Sequence, residues 1–288
     1  MPEHGLTEIS KSFFVDPDYR AALDKSGLTS LETVFSFDAA KNLGKKNLAS
    51  FRSRLQFDID APGLPQPTTV FLKRYDAPPV ATQLRGWLAA RGRKSCAMHE
   101  YAAMSALAAA GIGTPRPICC GEQWGILFER RSFIITVKIP DAKALERKLP
   151  RCFAMPANAE NLRLRRDFVA QLARFIKKFH ETGYRHRDLY FSHIFYGDKG
   201  GFFLIDLARA FRPVVLGRRF QIKDLAQVCY SAPGRHFSRT DRLRFYLAYA
   251  GRSKLTQEDK VFLREVIDKA ERIARRERKY GRQVPFEN

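Results

Sequence analysis

The feature that most constrains this chain is a pair of aspartates, Asp188 and Asp206, set in two short motifs 18 residues apart. Asp188 belongs to the run His-Arg-Asp-Leu at residues 186–189, which follows a segment with apolar residues at helical spacing that stops at Gly183. Asp206 follows the apolar run Phe-Phe-Leu-Ile at residues 202–205. A short apolar run of this kind predicts a buried strand. The pattern therefore predicts two loops that each present a carboxylate beside buried structure.

This arrangement is typical of the catalytic loop and the metal-binding loop of kinases. Phosphoryl transfer needs one carboxylate to orient the acceptor hydroxyl and another to hold the magnesium ion that bridges the ATP phosphates. We therefore expect Asp188 to be catalytic, together with His186 and Arg187, and Asp206 to bind Mg²⁺. His193 stands five residues after Asp188, where protein kinases place asparagine. A neutral imidazole can also ligate a metal, so His193 is expected to assist Asp206.

The first part of the chain predicts a small antiparallel sheet and one helix. Strands are expected at 33–37, 51–57, 70–75, 125–129 and 133–139, and a helix at 96–110. Lys73 lies on the third strand, where a kinase places the lysine that contacts the ATP phosphates, and Glu100 on the following helix can pair with it. Two ordinary surface charges are the alternative interpretation.

A glycine-rich loop is the weakest part of the pattern. Gly44 is the single glycine in the turn between the first two strands, and Lys45 and Lys46 stand beside it. Glycine lets backbone amides approach phosphates closely, and here the lysine side chains could share that work. A plain hairpin is an equally good interpretation of this turn.

The second part of the chain predicts helices from about residue 160, then at 222–232, 238–250 and 256–280. Asp224 would lie at the start of the helix at 222–232, beneath the catalytic loop, where its carboxylate could accept backbone hydrogen bonds. A simple charge at a helix N-terminus is the alternative interpretation. The predicted fold class is α+β, a protein-kinase-like fold with two lobes. It comprises an N-terminal extension (1–32), a sheet-rich N-lobe (33–139) and a mostly helical C-lobe (140–288). Val137 and Ile139 lie at the expected hinge and are predicted to contact the nucleotide.

The charge balance predicts an anionic partner. The chain carries 51 Lys and Arg against 30 Asp and Glu, a formal net charge of +21. No nucleic-acid-binding motif is present, so no nucleic-acid partner is expected. The 5 cysteines form no C-x-x-C pair, the N-terminus is polar, and no apolar stretch is long enough to span a membrane. These features predict a cytoplasmic protein that is at most peripheral to a membrane.

The segment between Asp206 and Asp224 contains no Ser, Thr or Tyr, and no Ala-Pro-Glu motif follows it. Phosphorylation of this segment is therefore chemically impossible. The chain lacks the features of a regulated protein kinase that docks peptide substrates.

Residues 186–193 together with 204–210 resemble the bacterial lipopolysaccharide core kinases, the Kdo/WaaP kinase family. In that family a histidine in the asparagine position and Ile-Asp-Leu in place of Asp-Phe-Gly are usual. Residues 132–136, 223–226 and 241–245 also look like segments of the family. One departure is the hinge at 137–139, where the family often has acidic residues.

The resemblance implies transfer of the ATP γ-phosphate to a heptose or Kdo hydroxyl of the lipopolysaccharide inner core. Inner-core lipopolysaccharide is polyanionic and is assembled at the cytoplasmic face of the inner membrane, which fits the positive charge independently. Two alternatives remain open: a kinase for another small hydroxyl compound, since fold does not fix substrate, and a nucleotide-binding pseudokinase that docks partners at the membrane.

Overall fold

The computed structural model of the chain describes residues 5–43, 50–61, 67–90, 92–155 and 158–287. The chain folds into two compact units. The N-terminal unit comprises Met1–Ala106 and Thr114–Pro140, and the C-terminal unit comprises Leu107–Gly113 and Asp141–Asn288. The first unit is built around a sheet and the second is mostly helical, so the predicted change in character along the chain is confirmed.

A seven-stranded antiparallel sheet forms the N-terminal unit, with strand order β1-β2-β6-β7-β5-β4-β3. The strands are β1 (Thr7–Ser10), β2 (Phe13–Val15), β3 (Lys41–Asn42), β4 (Arg52–Ile59), β5 (Thr68–Asp76), β6 (Pro117–Trp124) and β7 (Glu129–Val137). Strands β1 and β2 come from residues that the sequence analysis placed in an extension. The strand predicted at 125–129 is wrong, because Gly125 N donates to Phe128 O at 2.8 Å and closes a turn there.

The core of this unit follows from alternation along its strands. Leu55, Phe57 and Ile59 on β4 are buried, as are Val70 and Leu72 on β5, while the residues between them are more accessible. Side chains at alternate positions of a strand point to the same face of a sheet. One face of the sheet therefore supplies the apolar core, which the N-terminal strands and helices also contact.

The strand predicted at 33–37 is also wrong, because residues 31–36 form a helix. The N-terminal unit contains α1 (Arg20–Lys25), α2 (Leu31–Ser36), α3 (Val80–Ala90) and the start of α4 (Cys96–Ala109). Ser30 caps α2: its side chain accepts from Thr33 N, and the Thr33 side chain accepts from the Ser30 backbone. This reciprocal capping stabilises a helix start despite the β-branched and aromatic residues that follow. The helix predicted at 96–110 is confirmed as α4.

Four long helices and a small sheet form the C-terminal unit. The helices are α5 (Ala159–Glu181), α6 (Gly217–Ser231), α7 (Arg239–Ala250) and α8 (Gln257–Lys279), and the strands are β8 (Ala142–Ala144), β9 (Ile194–Gly197) and β10 (Phe202–Leu204). Helix α5 packs on α7, and α6 packs on α8. Phe168, Leu172, Ile176 and Phe179 bury one face of α5, as their helical spacing predicts. In the part of the chain that the structure describes, no helix is long and apolar enough to cross a membrane.

Gly113 allows a close backbone contact with β10. Leu204 N donates to Gly113 O at 2.8 Å, and a Cβ atom at position 113 would lie 2.5 Å from Phe202 O. Only glycine fits at such a distance. This contact holds the strand that leads directly into Asp206.

Candidate active site

The catalytic loop predicted at 186–193 lies in the C-terminal unit, between α5 and β9. The backbone N–H groups of His186 and Arg187 donate to the two carboxylate oxygens of Asp224, at 2.8 and 2.7 Å. Asp224 is completely buried. Its carboxylate therefore holds the loop as the sequence predicted. The predicted start of the helix was wrong, because α6 begins at Gly217 and places Asp224 in its interior.

A chain of buried polar groups extends from Asp224. His180 Nε2 lies 3.4 Å from Asp224 Oδ2, and His180 Nδ1 lies 2.8 Å from the Tyr249 hydroxyl. Gln221 Nε2 donates to the same hydroxyl at 2.5 Å. Burial lowers the pKa of His180, so its imidazole is neutral at pH 7. The support of the loop thus includes groups from α5, α6 and α7, which no local motif in the sequence indicates.

Gln227 is a second support of the loop that sequence reasoning missed. Leu189 N donates to Gln227 Oε1 at 2.8 Å, and Gln227 Nε2 donates to Arg187 O at 2.9 Å. Gln227 is buried one turn after Asp224 on α6. The spacing of three residues is the signal that could have identified it, since positions i and i+3 share a helix face.

His186 connects the catalytic loop to the segment before Asp206. Its Nε2 lies 3.0 Å from Ile205 O, and its ring stacks on His193 with centroids 5.8 Å apart. The side chain is completely buried, and burial lowers its pKa, so the neutral ring donates from Nε2. This geometry gives His186 a positioning function for both loops.

Asp188 lies at the accessible face of the catalytic loop, surrounded by cations. Arg209 Nη1 donates to both carboxylate oxygens of Asp188, at 3.1 and 2.8 Å. Lys223 Nζ lies 3.9 Å from Asp188 Oδ1 and donates to Arg187 O. Burial lowers the pKa of Lys223, while the neighbouring Asp188 raises it.

Neither Arg209 nor Lys223 was among the site residues predicted from sequence. Arg209 follows Asp206 by three residues, and Lys223 directly precedes Asp224. Their proximity to recognised motifs is the signal that could have found them. Together they place two positive charges beside a carboxylate, an arrangement that suits an anionic reaction partner.

The two predicted metal ligands lie close to each other. His193 Nε2 is 3.9 Å from Asp206 Oδ2, and His193 Nδ1 is 2.7 Å from Asp188 O. Asp206 adopts a left-handed backbone conformation with φ 58°, two residues after the end of β10. Among the residues that the structure describes, no group of three or more His, Cys, Asp or Glu side chains could hold a metal ion.

The predicted ion pair lies in the N-terminal unit. Lys73 Nζ on β5 is 2.5 Å from Glu100 Oε1 on α4, and the Tyr75 hydroxyl donates to Glu100 Oε2 at 3.0 Å. The Lys73 and Glu100 side chains are 16% and 0% exposed. The pairing itself is thus confirmed, and two separate surface charges are excluded.

Five other residues were predicted for nucleotide binding, two at the hinge and three in the turn around residue 44. Val137 is the last residue of β7, and Ile139 is buried two residues later. Gly44, Lys45 and Lys46 lie outside the described residues.

The sequence is similar to a known protein family and to curated proteins of that family. A model described as the lipopolysaccharide kinase (Kdo/WaaP) family matches residues 85–249. The lipopolysaccharide core heptose(I) kinase WaaP of Escherichia coli K12 is 29% identical over 239 residues, covering 80% of this chain and 87% of the relative. The protein of the same name from Pseudomonas aeruginosa PAO1 is 29% identical over 194 residues, covering 64% of this chain and 71% of the relative.

A solved structure has the same fold. A structure described as WaaP in complex with acyl carrier protein superposes with a TM-score of 0.66 at 24% sequence identity. The match covers 91% of this chain and 99% of the other. The predicted α+β, protein-kinase-like fold is thereby confirmed.

Proposed function

The chain belongs to the lipopolysaccharide kinase (Kdo/WaaP) family, and we propose that it transfers the γ-phosphate of ATP to a sugar hydroxyl of the lipopolysaccharide inner core. It is a phosphotransferase with an alcohol group as acceptor. Heptose is favoured over Kdo as the acceptor sugar, because the curated relatives are named heptose(I) kinases. The observation that carries the proposal is Asp188, held at an accessible face by a loop whose backbone is fixed to buried Asp224.

In this proposal Asp188 orients the acceptor hydroxyl for attack. Arg209 and Lys223 lie beside its carboxylate and provide positive charge where the transferred phosphoryl group would carry negative charge. His186 has no direct contact with the reacting atoms in this proposal. It positions the catalytic loop against Ile205, one residue before Asp206.

Each unit, taken by itself, has residues whose chemistry suits part of a nucleotide bound with magnesium. Asp206 supplies the oxygen ligand that Mg²⁺ prefers, with His193 beside it, and Lys73 presents a charge fixed by buried Glu100. Bound Mg²⁺ would neutralise charge on the ATP phosphates. We propose Asp206 and His193 as its ligands and Lys73 as the residue that contacts the phosphates.

The acceptor also suggests where the protein works. Inner-core lipopolysaccharide is an anionic glycolipid, and the net charge of +21 favours attraction to it and to an anionic bilayer. We propose that the protein acts as a peripheral enzyme at the cytoplasmic face of the inner membrane.

Label transfer from γ-labelled ATP to dephosphorylated lipopolysaccharide tests the proposal. Asp188→Asn should lower turnover by roughly 10²- to 10⁴-fold with ATP binding retained, because the acceptor hydroxyl loses its carboxylate partner. Asp198→Asn is the matched control, since Asp198 is an exposed carboxylate of the same unit that pairs with Lys148 at 2.6 Å. It should keep the wild-type rate.

Each other outcome has a definite meaning. Near-normal turnover by Asp188→Asn would remove Asp188 from the catalytic role. Absence of label on the glycolipid, with Mg-ATP binding intact, would indicate another small hydroxyl acceptor. Failure of the wild type to bind ATP would refute the kinase assignment and indicate a protein that has the fold without the phosphotransfer activity.

A further inference from the structure

Residues 211–220, here called the arch, connect the segment after Asp206 to the first turn of α6. The arch is closed at its base by the Phe211 and Phe220 rings, which meet edge to face with centroids 4.9 Å apart. The Arg187 guanidinium lies over both rings, at 5.4 and 5.9 Å from their centroids. Phe211 and Arg185 also exchange two backbone hydrogen bonds, at 2.8 and 3.1 Å. The base is therefore fixed to the residues that precede Asp188.

The tip of the arch is apolar and faces solvent. Val214, Val215 and Leu216 are 70%, 70% and 59% exposed. Single exposed apolar side chains are ordinary on protein surfaces, but three consecutive ones at a loop tip indicate a contact surface. Leu216 also adopts a left-handed conformation, with φ 59°, which a non-glycine residue rarely does.

The arch carries positive charge and no negative charge. Arg212, Arg218 and Arg219 flank the tip, and no Asp or Glu occurs between Asp206 and Asp224. All three arginines are exposed, and Arg218 also pairs with Glu265 at 2.6 Å. Apolar side chains between arginines are the pattern of a segment that inserts into the headgroup region of a bilayer. The apolar groups leave water there, while guanidinium groups bind lipid phosphates.

We propose that the arch docks this protein on an anionic lipid bilayer, with Val214, Val215 and Leu216 among the headgroups and the flanking arginines on lipid phosphates. The choice of a bilayer rests on charge complementarity and on the proposed function, in which the acceptor is lipid-anchored. Because the base of the arch contacts Arg187, docking would hold the Asp188 loop near the surface from which the acceptor sugar projects.

Flotation with vesicles tests this assignment. Vesicles of phosphatidylcholine and phosphatidylglycerol in equal amounts are compared with vesicles of phosphatidylcholine alone, with neither ATP nor acceptor present. Val214→Ser/Val215→Ser should lower binding to the anionic vesicles about tenfold or more, because the inserted apolar surface is lost. Ile126→Ser/Leu127→Ser is the matched control, since Ile126 and Leu127 are 96% and 64% exposed in a turn of the N-terminal unit. Its binding should stay within about twofold of the wild type.

A second variant tests the charges without altering apolar surface. Arg212→Gln/Arg219→Gln should lower binding to the anionic vesicles by about fivefold per arginine, and binding to neutral vesicles much less. Because both side chains are exposed, this variant also keeps the test decisive if the valine variant fails to fold. Circular dichroism melting checks the fold of each variant.

Two results would overturn the proposal. One is wild-type flotation by both arch variants, and the other is an equal loss in the Ile126→Ser/Leu127→Ser control, which would indicate general apolar adhesion. The outcome is separate from the proposed function, because flotation requires no phosphoryl transfer. A wild type that floats but transfers no phosphate to lipopolysaccharide would refute the proposed acceptor and leave the docking assignment standing.

Discussion

Glu100 in the N-terminal unit and Asp188 in the C-terminal unit each face a cation, but their surroundings differ. The Glu100 side chain is 0% exposed and its partner Lys73 is 16% exposed, whereas Asp188 and its partner Arg209 are 25% and 47% exposed. Glu100 also accepts from the Tyr75 hydroxyl, so both of its oxygens have partners inside the protein. Asp188 instead lies in water-accessible space, where partners can be exchanged.

The difference in solvent exposure suits the different function proposed for each carboxylate. A buried pair has one geometry, because water cannot replace either partner, and this suits a lysine that must present its charge in a constant position. An exposed pair is weak and easily opened, and this suits a carboxylate that must accept a substrate hydroxyl. The comparison can be tested by breaking each pair in turn.

Lys73→Met should cause the largest loss of stability. This substitution removes the charge that faces the buried Glu100 carboxylate and retains the hydrogen bond from the Tyr75 hydroxyl. Removal of one partner from a buried ion pair costs about 3–5 kcal/mol. Urea unfolding followed by tryptophan fluorescence measures this, since both tryptophans, Trp87 and Trp124, lie in the N-terminal unit.

Lys25→Met is the matched control for that measurement. Lys25 Nζ pairs with Asp60 at 3.0 Å, and the two side chains are 73% and 64% exposed. Its loss should change the free energy of unfolding by less than about 1 kcal/mol. Equal losses in the two variants would remove the distinction between buried and exposed pairs.

Acidification should destabilise the C-terminal unit through His180 and His186. Burial lowers both pKa values below 6.5, so between the lowered pKa and 6.5 the unfolded chain binds more protons than the folded chain. The contribution of these two histidines to the free energy of unfolding is therefore fully present above pH 6.5. It falls as the pH decreases, by about 1.4 kcal/mol per pH unit for each histidine that stays neutral in the folded protein. Urea midpoints from far-ultraviolet circular dichroism at pH 7 and 5.5 measure the effect, and equal midpoints would contradict it.

Arg209→Ala should have a small effect on stability. Its pair with Asp188 is exposed, so the free energy of unfolding should change by about 1 kcal/mol or less. Chemical denaturation followed by far-ultraviolet circular dichroism provides the measurement. A loss of the size expected for Lys73→Met would show that the exposed pair contributes to folding as much as the buried pair.

The sequence predicted those parts of the molecule that depend on local pattern. Helices α4 and α8 were predicted within a few residues, because their apolar spacing and flanking breakers are local properties. Asp188, Asp206 and Asp224 could be predicted as site residues because each stands in a short motif. The helix at 31–36 was missed, because its apolar and β-branched residues suggest a strand until the Ser30 cap is considered.

The partners of the site residues could not be predicted in the same way. Arg209 reaches Asp188 across 21 positions and His180 reaches Asp224 across 44 positions. Such contacts depend on how the helices pack, and the spacing of residues in the chain does not specify it. The arch was missed for a related reason, since Val-Val-Leu at 214–216 has the composition of a core segment, and only its exposure distinguishes it.

The buried hydrogen bonds from Asp224 to His186 and Arg187 also bear on how the activity is controlled. A loop anchored through α5, α6 and α7 cannot rearrange unless the packing of these helices changes too. With no Ser, Thr or Tyr between Asp206 and Asp224, a phosphate-dependent trigger has no place to act in that segment. We therefore expect that phosphorylation of this segment does not switch the activity, and that the catalytic loop keeps one conformation as long as these three helices stay packed.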